Sequence, residues 1–348
     1  MDIVPLMFVA RGDTSLPTLT DPTKAQKGHL YVLNLDANDG HSVVSFRPVE
    51  LIGRPTEVAL HAHGLGRTEN IIFVVNHAYG EGGERVERYR LEEHRAERTV
   101  LRYDGYVDFT ENLNGVMNDV APTSETDFYV TQYVPFADPL HGRDTSGWAE
   151  TLRNIPVALR LPLTRIYHCR LPLGADQVNA TDACKPVGPP AMMYNGITFD
   201  PVSSIVYALD LFNKRIIGFS ILRDGGLEKI LEVYTPHFGD NIEFDQRTRQ
   251  IHMGGVHHAT QCFEKYLHHL VDQYIADEGN SLPQGATRSG HKCASHFTKI
   301  DPSTGKVEVV YIHGGELLGA AASAVSNSRG TVVMGSFCDD GVLVCRPS

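Results

Sequence analysis

The sequence predicts an all-β chain of the β-propeller type. Two observations predict it: short β-runs come in pairs joined by tight turns, and no regular alternation of strand with helix appears. Propeller blades take about 40–50 residues, so 348 residues fit six blades plus insertions in a single domain. On periodicity alone, jelly-roll and double-barrel arrangements stay open.

Taken in order, "MDIVPLMFVARGD" (1–13) lacks a basic leader and meets charge at Arg11 and Asp13, so it reads as a strand already inside a fold, with the chain beginning abruptly. "HLYVLNL" (29–35) turns at Asp36–Gly40 into "SVVSFRPVEL". "NIIFVVNH" (70–77) turns through "YGEGGE" into "VERYRL". "SIVYALDL" (204–211) turns at Asn213-Lys214 into "RIIGFSIL", and Asp224-Gly225-Gly226 leads on to "LEKILEVY". "TVVMGSF" (331–337) turns at Asp339-Asp340-Gly341 into "VLVC". Each run is β-branched or aromatic and ends in residues that supply turn geometry. Two segments break the pattern. "TSGWAETLRNIPVALRL" (145–161) and "ATQCFEKYLHHLVDQYIADE" (259–278) carry apolar residues near helical spacing and are expected to be helices inserted as a lid, with Pro156 ending or kinking the first.

Composition narrows the function. The net charge of −11 comes from 42 acidic and 31 basic residues without a basic run. It disfavours nucleic acid as a partner and suits a cation. No apolar stretch approaches the roughly 20 residues of a membrane span. Six cysteines form no CxxC pair, so zinc spacing is absent. Cys169 and Cys184 could bridge a loop, and Asn179-Ala180-Thr181 is a glycosylation sequon. Both fit a secretory origin, and free cysteines with a chance sequon fit equally.

Two sets of residues carry chemistry. "NGVMNDV" (114–120), "MMYNGITFD" (192–200) and "HFGDNIEFD" (237–245) each place Asn or Asp-Asn at the start of a β-run, offering Asn118, Asp119, Asn195, Asp240 and Asn241. In a radial fold such starts converge near the axis, where neutral and anionic oxygens suit Ca²⁺, which takes six to eight oxygen ligands. Singly, each is an ordinary turn residue. The second set is "HAHGLGRTENIIFVVNH" (61–77), with His61, His63 and His77 at the ends of an apolar run. Alone it reads as a metal cluster, a base with its partner, or polar plugs at strand ends.

Together these residues resemble the serum paraoxonase/arylesterase family of calcium-dependent lactonases. "AHGLG" is similar to that family's Pro-His-Gly-Ile-Ser segment, "VVNH" to its Val-Val-Asn-His, and "MNDV" to its Leu-Asn-Asp-Ile. "DFYVTQY", "YNGITFDP", "GDNIEFD" and the closing "ASAVSNSRGTVVMGSFCDDGVLVC" follow in the family's order across nearly the whole chain. The resemblance implies a six-bladed propeller with two calcium ions in a central tunnel. The catalytic ion would lie on Asn118, Asn195, Asp240 and Asn241. The structural ion would lie on Asp119, the Leu65 backbone carbonyl and Asp2. His63 would activate water with His77 behind it, and His61 would be structural. The substrate would be a small ester or lactone, and segment 145–161 would be a lid helix.

The chain also departs from the family. Where the family places a calcium-binding Glu before the Asp matched by Asp2, this chain has Met1. The upstream strand is missing, and so is the cysteine expected to pair with Cys345. Segment 258–297, rich in His and Cys, exceeds the family pattern. His257-His258 is expected as a surface pair. Three other readings stay open: a transition-metal site on His61, His63 and His77, a non-catalytic scaffold, and lyase or cyclase chemistry on a specialised metabolite.

Overall fold

The computed structural model describes residues 6–11, 28–34, 46–77, 83–95, 98–110, 115–135, 159, 161–257, 293–315, 317–327, 330–336 and 342–346. Both expected lid helices lie outside the described residues, except for Leu159 and Leu161, which are exposed. Among the described residues the helix is a single turn, Ala180–Ala183.

The strands form sheets that follow one another along the chain. The first holds Leu6–Arg11, His29–Asn34 and Arg47–Pro48. The second holds Ala62–Arg67, Ile71–Asn76, Arg85–Arg95 and Arg98–Asp108, with Glu50–Ile52 and Gln177–Asn179 added in parallel to the last. The third runs Val116–Pro122, Asp127–Val134, Thr164–Arg170 and Cys184–Ala191. The fourth comprises Tyr194–Asp200, Ile205–Asp210, Arg215–Ile221 and Leu227–Tyr234. The fifth comprises Phe238–Asp245, Gln250–Val256, Ser295–Asp301 and Lys306–His313. The last described sheet holds Ala321–Ser326, Val332–Ser336 and Val342–Cys345.

In every sheet the first strand lies at one edge and touches the first strand of the next sheet. That radial stacking of meanders is a β-propeller, and it removes the jelly-roll and barrel alternatives. Burial follows the radius. Ile71–Asn76, one strand out from the axis, is buried throughout, whereas the outer strand Lys306–His313 alternates between exposed and half-buried positions. The core is divided into clusters lying between neighbouring sheets. Phe73, Val120 and Phe128 join the second to the third. Ala121, Tyr129, Ile197 and Phe219 join the third to the fourth. Leu209, Ile242 and Phe244 join the fourth to the fifth.

The second and third sheets are also tied through the segment between two cysteines of the third sheet and by a buried arginine. Cys169 and Cys184, cross-strand partners, form a disulfide closing the segment that carries Gln177–Asn179 to the neighbouring sheet. Arg88, buried in the second sheet, donates to the carbonyls of Leu171 (2.6 Å) and Pro172 (3.1 Å) at the start of that segment.

The ladder breaks at one place in successive inner strands. Two residues of the inner strand face one residue of its partner at His63-Gly64, Asn118-Asp119, Asn195-Gly196 and Asp240-Asn241, and the last described sheet has an extra residue at Ala322. These are β-bulges, which turn side chains out of the regular alternation. Gly64 and Gly196 let the bulges approach one another. A Cβ on Gly64 would overlap the Asn118 carbonyl and the Asp119 Cα, and one on Gly196 would meet the Asn241 Cα and the Ile242 nitrogen.

Candidate functional site

The four bulges hold most of the site residues read from the sequence. Asn118, Asp119, Asn195, Asp240, Asn241 and His63 each occupy a bulge on a different or neighbouring inner strand. Hydrogen bonds knit the bulges across sheets. Asp119 accepts from the Val120 amide (2.9 Å) and, through its other oxygen, from the Ile197 amide in the next sheet (3.0 Å). The Thr131 hydroxyl donates to the Asn195 carbonyl (2.6 Å). An Asn195–Asp240 side-chain hydrogen bond joins the fourth sheet to the fifth.

Three oxygens stand out against this network. Asn118 Oδ1, Asn195 Oδ1 and Asn241 Oδ1 are buried without a hydrogen-bond partner. A carboxamide oxygen can only accept, so an oxygen with no donor needs a positive charge or pays a desolvation cost. The carboxyls beside them are equally out of place without a cation. Burial pushes Asp119 up to about 8 against the pull of its two backbone amides, with Glu243 and Asp240 adding repulsion. Asp240 is pushed up to about 7 by burial, which outweighs its hydrogen bond to Asn195. Glu243, two residues beyond Asn241 on the same strand, is exposed. Oxygens of this kind fit a hard cation: amide oxygens on Asn118, Asn195 and Asn241, with carboxylates on Asp240 and Asp119.

The histidines form a separate chain beside those oxygens. Asn118 Nδ2 donates to His63 Nε2 at 3.1 Å, which leaves Asn118 Oδ1 as the orphan. The His63 ring lies 4.8 Å from the His77 ring, centroid to centroid. His77 Nδ1 in turn meets both oxygens of the buried Glu84, at 3.1 and 3.0 Å. His61 joins through its backbone: its amide donates to Asn76 Oδ1 (2.8 Å) and its carbonyl accepts from the His77 amide (3.0 Å). Among the described residues no group of three His, Cys, Asp or Glu comes together as a metal cluster, so the three-histidine site is not assembled here.

Leu65 follows the His63-Gly64 bulge on the same inner strand, and Asp2 lies outside the described residues. His257 is half-buried with Nδ1 2.9 Å from His237 Nδ1, and the His237 ring packs on His296. His258 lies outside the described residues. Sequence reasoning missed Glu84. The one signal for Glu84 was its place at the end of "YGEGGE", which reads as a solvated turn.

No family model and no curated protein matches the sequence. Among solved structures the chain is similar to one in the nidogen/laminin complex at 11% identity, over 92% of this chain and 87% of that one, with a TM-score of 0.49. It is also similar to the periplasmic gluconolactonase of Pseudomonas aeruginosa at 11% identity, over 99% and 78% of the two chains, with a TM-score of 0.47. A gluconolactonase of Xanthomonas campestris matches at 14% identity over 88% and 79%, with a TM-score of 0.45.

Proposed function

We propose that the chain is a calcium-dependent hydrolase of lactones and carboxylic esters, built on a ring of six blades. The observation that carries this reading is the set of three donor-less asparagine oxygens, Asn118, Asn195 and Asn241, at successive bulges beside Asp240. Asparagine supplies oxygen without charge, so a calcium ion held there stays electrophilic. Bound at this site it would polarise the carbonyl and offset charge developing on its oxygen.

The chain's own groups do the rest. Asn118 bridges the two functions, with Oδ1 toward the cation and Nδ2 on His63 Nε2. A water that takes the place of Asn118 at Nε2 would give its proton there as it attacks the carbonyl carbon; collapse of the tetrahedral intermediate then breaks the acyl C–O bond, and the departing alkoxide oxygen takes the proton back from Nε2. Imidazole suits that transfer because its ordinary pKa lies near working pH. His77, one ring away, accepts part of the resulting charge.

The test is hydrolysis of γ- and δ-lactones and aryl esters before and after chelation. The proposal expects activity that is lost with EDTA and restored by Ca²⁺. Turnover indifferent to EDTA, or restored by Zn²⁺ alone, would overturn it.

A further inference from the structure

Glu84 is a buried acid for which composition and spacing gave no role. Its side chain is 0% exposed, and its oxygens receive His77 Nδ1 on one side and the Met117 amide (2.9 Å) on the other. Met117 immediately precedes Asn118, so one carboxylate holds both the outer imidazole and the strand that bears a candidate cation ligand. The placement is rigid at each end. The Phe109 amide donates to the Glu84 carbonyl at 2.8 Å, and Arg85 pairs with Asn76 in the ladder, which sets Glu84 opposite His77.

Hydrogen-bond chemistry then fixes the ring. A carboxylate only accepts, so a neutral His77 must carry its proton on Nδ1 and present the lone pair of Nε2 elsewhere. The neighbouring ring is His63. The same division of labour operates in serine hydrolases, where an acid fixes the tautomer of the base and its loss costs about 10⁴ in kcat.

We propose that Glu84 is a positioning residue for catalysis, holding His77 as its Nδ1–H tautomer so that His63 and His77 act as one proton-handling unit; this rests on the hydrolase reading above. The test is a double-mutant cycle in the full chain with Glu84→Gln and His77→Gln, read as kcat and KM on a δ-lactone. Either single change lowers kcat by about 10²-fold with KM within about twofold, and the double variant is no worse than His77→Gln alone. A Glu84→Gln loss of equal size in both backgrounds, or no loss at all, would overturn the proposal. A ¹⁵N spectrum of the histidine rings in the unaltered chain gives a second readout, independent of turnover and of how the variant folds. Its expected result is protonation of His77 at Nδ1 near neutral pH, and protonation at Nε2 would refute the assignment. If no lactone is hydrolysed, the hydrolase reading fails while the ring spectrum still decides what Glu84 does.

Discussion

A buried polar atom left without a partner costs about 1–3 kcal/mol, and the chain accepts three such costs on Asn118, Asn195 and Asn241 within one set of bulges. Their shared place at successive bulges sets them apart from the other buried polar atoms without a partner, and a cation there would remove all three costs at once. His63 sits in the neighbouring bulge with its Nε2 on the Asn118 amide. His63→Gln should therefore lower kcat by about 10²–10⁴-fold, the usual range for a lost general base, while leaving calcium affinity nearly intact. Initial rates with calorimetry on the same samples check both halves, and an unchanged rate would remove His63 from the chemistry. The oxygens were legible in the sequence because an Asn or Asp interrupting an apolar run is visible without coordinates. Glu84 was not legible, because a glutamate after two glycines looks solvated. Its burial and its bonds to His77 and the Met117 amide show that it turns inward.

At the scale of the element, the bulge turns the side chains of an inner strand out of its ladder. Two residues against one twists the inner strand locally, so His63, Asn118, Asn195 and Asp240 leave the regular alternation. The sequence displayed the recurring motif (Ala-His-Gly-Leu, Met-Asn-Asp-Val, Tyr-Asn-Gly-Ile, Gly-Asp-Asn-Ile), but its meaning as a broken ladder depends on register, which spacing alone does not supply. The paired runs were easier to read: the expected run at 204–211 is the strand Ile205–Asp210, and that at 70–77 is Ile71–Asn76. The glycines in these motifs are contact points. Gly64→Ala drives a methyl into the Asn118 carbonyl and the Asp119 backbone, neither of which is a flexible side-chain end. Overpacking of this kind costs about 1–3 kcal/mol. Urea unfolding should show that loss together with weakened calcium binding, and a variant of unchanged stability and affinity would mean that the bulges do not need their close approach.

For the whole molecule, the carboxyls of the bulges would link metal, protons and folding. Asp119 and Asp240 carry raised values of about 8 and 7 in the folded chain, above the ordinary carboxylate range near 4. Between about pH 4 and 8 these carboxyls thus hold more protons in the folded chain than in the unfolded one, and their contribution to the stability of metal-free protein falls as pH rises through that window; His252 and His296, lowered to about 4 by burial, act the other way below about pH 6.5. Bound calcium would reverse the trend by favouring the ionised forms. Thermal unfolding of chelated protein at pH 5 and pH 8 should show the lower midpoint at pH 8, with Ca²⁺ raising it more there than at pH 5. Equal calcium shifts at the two pH values would detach these carboxyls from the cation.

The central claim is that the bulge oxygens hold calcium, and calorimetric titration of Ca²⁺ into chelator-stripped protein tests it most directly. The account predicts saturable binding of two ions to the unaltered chain and loss of one of them in Asn195→Ala, which deletes one orphan oxygen. Absence of calcium binding, or identical isotherms for the two proteins, would contradict it.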